Sequence, residues 1–292
     1  MARTLERAQL IERSIIKKYR EELWHPFIDA VNRYQLISRG DRIAVCISGG
    51  KDSMLMAKLM QELERHGNVP FTNIFLVMDP GYNPANRKKI EENAALMKIP
   101  VQFFESDIFE VANRQDHSPC YLCAKMRRGF LYSRAKALGC NKIALGHHFD
   151  DVIETTVMSM FYSSQIRAML PKLHSDHFEG MELIRPLYEV HESDILAWKR
   201  YNGLDFLQCA CRFTERAEAD KDVVPGGGSK RREIKELIRT LKKETPDLDQ
   251  SIFNSLHSVC LDTMPGWESE GEKHSFLDRY DRVKQGSEPV SE

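Results

Sequence analysis

Short apolar runs alternate with stretches of helical period along most of this chain. Ile43-Ala44-Val45-Cys46-Ile47, Ile74-Phe75-Leu76-Val77-Met78, Val101-Gln102-Phe103-Phe104 and Lys142-Ile143-Ala144-Leu145 read as strands. Met54 to Met60, Ala85 to Met97 and the stretch ending at Leu138 and Gly139 read as the helices between them. This β-α-β-α-β order with short connections predicts right-handed crossovers, hence an α/β fold with a parallel sheet and helices on both faces. Ligands of such a sheet gather outside the carboxyl ends of its strands.

The flanking segments have other patterns. Ile11, Ile15, Ile16, Tyr19, Leu23 and Phe27 recur at helical spacing, so residues 1–38 read as N-terminal helices, broken near Pro26 and packed as a cap. Val152 to Phe161 reads as a core helix, 162–183 as a polar loop, and Ile184-Arg185-Pro186-Leu187 as a short strand and turn. Arg167, Lys172 and Arg185 fall in these irregular segments, where loops usually carry specificity. Gly226-Gly227-Gly228 reads as a hinge, with Ser229 capping a helix that begins Lys230-Arg231-Arg232. That basic start opposes the helix dipole and hints at an anion, although charge runs of this kind are most often simply solvated. The expected division is a cap at 1–38, a nucleotide domain at 39–200, a small helical C-terminal region at 201–265 and a disordered tail at 266–292.

The first strand runs straight into Ser48-Gly49-Gly50-Lys51-Asp52-Ser53 and a helix. Strand, glycine turn and helix N-terminus form a phosphate seat: the glycines let amides approach the oxygens, the dipole favours negative charge, and Lys51 adds a cation. The Walker A spacing is missing, which disfavours a Walker-type kinase or GTPase. Met78 and Asp79 close the second strand at the same edge and are candidates for base and ribose contacts. Asp79 reads equally well as a turn carboxylate. The fourth strand ends at Gly146-His147-His148-Phe149-Asp150-Asp151, residue types that coordinate Mg²⁺ or touch a nucleotide; an aspartate there also caps a helix.

Net charge is −1, with 42 Lys and Arg against 43 Asp and Glu, so any nucleic-acid contact needs a local basic face. No apolar stretch approaches a membrane span and the first residues lack a signal core, so a cytoplasmic protein with reduced cysteines is expected. Seven cysteines then point to metal or catalysis rather than disulfides. Cys120 and Cys123 form a Cys-x-x-Cys opening a basic helix, a pattern open to redox, zinc or iron–sulfur chemistry, and Cys209 and Cys211 form a second pair.

Ser-Gly-Gly-Lys-Asp-Ser resembles the PP-loop of N-type ATP pyrophosphatases, whose fold is adenine nucleotide alpha hydrolase-like. Gly40 to Ser53, Cys120 and Cys123 followed by Arg127-Arg128-Gly129, Lys142 to His148 with Asp150-Asp151, Met160-Phe161-Tyr162, Pro171-Lys172-Leu173 and Ile184 to Leu187 are similar, in order and spacing, to the tRNA 2-thiocytidine synthetase family. The match covers roughly residues 10 to 262. The resemblance implies ATP-dependent activation of cytidine 32 of tRNA and thiolation supported by a [4Fe–4S] cluster. Read from the residues, catalysis falls to Lys51, Asp52 and Asp150 and nucleotide and Mg²⁺ contacts to Ser48, Gly49, Gly50, Lys51, Asp52, Ser53, Met78, Asp79, Gly146, His147 and Asp151, while the resemblance carries cluster ligation to Cys120, Cys123 and Cys209. The family usually has Pro-Cys-x-x-Cys-Gly-Ser-Gln at the third ligand. Here Gln208-Cys209-Ala210-Cys211-Arg212 leaves Cys211 as the alternative, and an acidic insert, Glu215 to Asp222, follows. Expected partners are tRNA and a sulfur donor such as a cysteine desulfurase or sulfide, with a homodimer as one assembly to test and no membrane. The alternatives are a related enzyme acting on another nucleoside, a nucleotide-binding protein with a structural Cys₄ zinc site, and a dithiol redox enzyme.

Overall fold

The computed structural model describes residues 5–106, 119–207 and 230–280, with side chains at 119–125 left aside. Six strands build the main sheet: β1 (Arg42–Ile47), β2 (Thr72–Asp79), β3 (Val101–Glu105), β4 (Lys142–Ala144), β5 (Lys172–His174) and β6 (Glu182–Ile184), in the order β3-β2-β1-β4-β6-β5. All neighbours are parallel except β5, which runs antiparallel to β6 at the edge. The polar loop expected over 162–183 is therefore corrected. Lys172-Leu173-His174 is a strand too short and too polar to carry a readable alternation.

Helices α1 (Arg7–Arg13), α2 (His25–Arg33), α3 (Lys51–His66), α4 (Pro84–Leu96), α5 (Pro119–Ala137), α6 (Phe149–Ser163), α7 (Glu192–Tyr201) and α8 (Lys230–Leu241) accompany the sheet. Strand side chains alternate, and the two faces form separate cores. Ile43, Val45 and Ile47 join Phe75, Val77, α3, α4, α7 and the N-terminal helices; Ala44 and Cys46 join Ile74, Leu76 and Tyr132 and Ala135 of α5. Pro26 does not break the N-terminal helices. It lies in the first turn of α2, where its missing N–H costs nothing, and the irregularity falls before it in two π-helical stretches, Ser14–Lys18 and Arg20–Trp24.

The chain forms two compact units, Met1–Thr240 and Leu241–Glu292. The second unit contains α9 (Leu248–Ser255), a hairpin of β7 (Gly266–Ser269) and β8 (Glu272–Ser275), and α10 (Leu277–Tyr280). The tail expected from 266 is thus ordered structure through Tyr280. Glu270 (φ 54°) and Gly271 (φ 82°) close the hairpin, and Trp267 stacks on His274. Residues 281–292, Gly226 to Gly228, Ser229, the acidic insert, Cys209 and Cys211 lie outside the described residues.

Candidate active site

β1 pairs with β2 on one side and β4 on the other, while the chain runs β1, β2, β3 outward before returning to β4. The sheet therefore has its switch point between β1 and β4, and the crevice there opens outside the carboxyl ends of the strands. Ser48-Gly49-Gly50 occupies that edge. Gly49 has φ of +84°, and a Cβ there would stand 2.6 Å from Ile90 Cγ1 and 3.0 Å from Leu207 Cδ1, so only glycine fits. Gly50 is the N-cap of α3 and no side chain caps it, which leaves the first amides of a 16-residue helix open to an anion. Ser53 pins the loop: its Oγ donates to the Gly50 carbonyl at 3.0 Å and accepts the Ser48 N–H at 3.1 Å. On the β4 side Gly146 lets the next loop approach closely, since a Cβ would stand 3.1 Å from the Ser53 nitrogen.

Charged groups crowd this edge. Lys51 Nζ donates to Asp52 at 3.1 Å and to Glu192, the first residue of α7, at 3.0 Å. Burial alone would lower the Lys51 pKa, but the two carboxylates raise it above the ordinary lysine value. Asp150 accepts the Glu192 main-chain N–H at 2.7 Å. Asp151 accepts the His148 N–H at 3.1 Å in a capping box and pairs with Arg231 of α8 at 2.6 Å. His148 stands 3.8, 3.7 and 3.6 Å from Asp52, Asp150 and Asp151. Arg231 also reaches Glu154 at 3.4 Å, yet burial dominates there and lifts the Glu154 carboxyl to about 7. Burial, with Arg185 beside it, holds His147 neutral with a pKa near 4, and its Nδ1 has no hydrogen-bond partner among the described residues.

A cavity of about 350 Å³ opens beside the loop, within the range of small-molecule sites. It brings together Ser48, Asp52, Ser53, Met78, Gly146 and His147 of the residues expected, and adds Tyr82 and, from α5, Arg127, Arg128 and Leu131. Asp79 is not at the cavity. Its carboxylate accepts the Gly81 and Tyr82 amides at 2.9 and 2.7 Å and pairs with Arg87 at 3.0 Å, the turn contacts expected of it. Asp150 and Asp151 serve helix ends. No signal in the sequence pointed to Glu192 or Lys235. Arg127 and Arg128 were legible as part of the Cys-x-x-Cys helix, though not as cavity residues.

The basic residues expected to meet RNA divide. Arg185 is buried and donates to the Leu170 carbonyl, Lys172 pairs with Glu182 at 3.4 Å, and Arg231 holds Asp151. Arg167, Lys230 and Arg232 remain exposed.

Among the described residues no three His, Cys, Asp or Glu side chains are gathered as a metal site. Mg²⁺ carried by a triphosphate needs only one or two carboxylates, which Asp52 and either Asp150 or Asp151 supply in kind. Cys120 and Cys123 lie in the first two turns of α5, on the helix whose Arg127 and Arg128 line the cavity. Leu207 donates its N–H to the Gly49 carbonyl at 3.1 Å, and Cys209, two positions further along the sequence, lies outside the described residues. Four thiols in two pairs of this sequence spacing suit iron–sulfur or zinc chemistry.

The switch-point loop, uncapped helix and cavity define a nucleotide-binding α/β protein of the PP-loop class, and the PP-loop domain matches residues 21–212. The tRNA-cytidine(32) 2-sulfurtransferase of Geotalea uraniireducens (strain Rf4) is 35% identical over 234 residues, 79% of this chain and 88% of its own length. That of Coxiella burnetii is 34% identical over 250 residues, 83% of this chain and 91% of its own. The chain belongs to the tRNA-cytidine(32) 2-sulfurtransferase family. Among solved structures, the U34-tRNA thiolase NcsA from Methanococcus maripaludis with its [4Fe–4S] cluster superposes with a TM-score of 0.63 over 84% of this chain and 80% of that one, at 18% identity, which speaks to the fold alone. Among the described residues no helix is long and apolar enough to cross a membrane.

Proposed function

We propose that this protein is an ATP-dependent tRNA sulfurtransferase that converts cytidine 32 to 2-thiocytidine. The observation that carries this reading is the glycine loop at the uncapped N-terminus of α3, beside a cavity that Arg127 and Arg128 of the Cys-x-x-Cys helix also line. The relatives at 30–35% identity named as acting on that nucleotide support the choice of substrate.

A C2 carbonyl is a poor electrophile, and its oxygen a poor leaving group. Attack of that oxygen on the α-phosphorus of ATP forms an O–P bond and expels pyrophosphate. Lys51 and the open amides of α3 neutralise the pyrophosphate as it departs, and Arg127 and Arg128 contribute positive charge to the cavity. Asp52, with Asp150 or Asp151, is the proposed anchor of Mg²⁺. Neutral His147 offers an acceptor to a donor on the bound base or nucleotide. Sulfide then forms the C2–S bond, and AMP leaves with the original oxygen. A [4Fe–4S] cluster held by three thiolates supplies an iron able to carry sulfide, and Cys120, Cys123 and Cys209 are the proposed ligands. A sulfur donor delivers the sulfide, from a cysteine desulfurase or as free sulfide.

The test is elemental analysis of anaerobically purified full-length protein, with AMP and pyrophosphate measured after addition of Mg–ATP and unmodified tRNA. Iron with labile sulfide, and tRNA-dependent AMP and pyrophosphate, are expected. Zinc without iron, or ADP and phosphate as products, overturns the proposal.

A further inference from the structure

A lysine ammonium has three protons to donate. On Lys51 one is directed at Asp52, the next residue, and another crosses 141 residues of sequence to Glu192 at 3.0 Å. Glu192 is itself held on three sides. It opens α7, its main-chain N–H is fixed by Asp150 at 2.7 Å, and its second carboxylate oxygen accepts from Lys235 of α8. Its side chain is 18% exposed. Burial on its own would favour the protonated acid, but Lys235 and Lys51 pull the carboxyl down to about 2, so it is ionised throughout the physiological range.

This arrangement answers two needs of a phosphate loop. The loop glycines have no side chains with which to hold a lysine, and a lysine free on its long stem must lose rotamer freedom when phosphate binds. Two carboxylates fix Lys51 beforehand and leave its third proton for a phosphate oxygen. A bare glutamate so close would also repel a triphosphate, and Lys235 balances that charge. Residues 230–240 therefore connect to the site through two separate ion pairs, Lys235 with Glu192 and Arg231 with Asp151.

We propose that Glu192 is a positioning residue for the phosphate-loop lysine, holding the Lys51 ammonium ready for the triphosphate while Lys235 balances its charge. The proposal rests on the reading of the loop as the ATP site.

The test is titration calorimetry of Mg–ATP into the full-length protein, in a double-mutant cycle of wild type, Glu192→Gln, Lys51→Ala and the double variant. Because Glu192 acts through Lys51, Glu192→Gln should weaken ATP about 10-fold in the wild-type background and less than about 2-fold in the Lys51→Ala background. In turnover the loss should sit in KM for ATP, with KM for tRNA unchanged. Lys235→Met provides a second variant: it leaves Glu192 uncompensated, and ATP affinity should fall about 3-fold or more. Equal losses from Glu192→Gln in both backgrounds would mean a merely structural role and overturn the proposal, as would unchanged affinity in Glu192→Gln or in Lys235→Met. Wild-type protein that binds no Mg–ATP would instead overturn the reading of the loop, and the proposal with it.

Discussion

Replacing Gly49 by alanine tests how far the phosphate loop depends on one missing Cβ. The added carbon meets Ile90 Cγ1 at 2.6 Å, Ile90 Cδ1 at 2.9 Å and Leu207 Cδ1 at 3.0 Å, all closer than carbon atoms normally approach. The residue also sits at φ of +84°, where an L side chain adds about 1–2 kcal/mol. Overpacking against side chains that can shift adds about 1–3 kcal/mol, for a total loss of about 2–5 kcal/mol. The two contributions are separable. Gly49→Ala in an Ile90→Ala background should recover most of the steric part and leave the φ strain, so the two substitutions should couple rather than add. Denaturant unfolding of the four proteins measures the energies, and calorimetry with Mg–ATP reads the loop. Gly49→Ala should lose ATP affinity even in the Ile90→Ala background, because the strained φ still turns the loop amides. A Gly49→Ala protein within 0.5 kcal/mol of wild type, on the order of an ordinary surface substitution, with unchanged ATP affinity would refute the reasoning.

Three further outcomes are expected. Lys51→Ala should abolish AMP and pyrophosphate formation while leaving the melting temperature close to wild type; unchanged product formation would contradict the phosphate assignment. Glu154 binds its proton up to about pH 7 in the fold against an ordinary value of 4.5, so between those values the native state holds more protons than the unfolded chain and stability should fall as pH rises, by at most about 3 kcal/mol; Glu154→Gln should flatten that slope, and an equally steep slope in the variant would remove Glu154 as its source. Cys209→Ser should lose iron and labile sulfide under anaerobic purification while Cys211→Ser retains both; the reverse pattern would move the third ligand to Cys211, and loss in both would favour a closed four-cysteine site.

The parts of this protein that were legible in its sequence are those where burial is two-sided or backbone geometry is extreme. β1 and β2 are buried nearly throughout and read as apolar runs, and Gly49 marks a turn whose positive φ and close neighbours favour glycine. β5 was hidden because an edge strand of three half-exposed residues has no pattern to show. The β7–β8 hairpin was hidden because most of its side chains are exposed, although Glu270-Gly271 is the kind of dipeptide that closes a tight hairpin. At the site, the strand-end residues were readable because a parallel sheet brings its carboxyl ends together wherever they lie in sequence. Glu192 and Lys235 were not, since nothing local tells that the first residue of α7 returns to Lys51. Asp79 had two local readings of equal merit, and the turn reading is visible in the amides of Gly81 and Tyr82 that its carboxylate accepts.

The central claim, that this chain thiolates a cytidine of tRNA at the expense of ATP, is tested most directly by nucleoside mass spectrometry. Unmodified tRNA is incubated anaerobically with the cluster-reconstituted full-length protein, Mg–ATP and sulfide, then digested and analysed, with the modified position mapped by fragment sequencing. The account predicts 2-thiocytidine at position 32, the position in the relatives' name, formed only when ATP is present. A thiolated uridine, thiolation without ATP, or no thiolated nucleoside from protein that holds its cluster would contradict it.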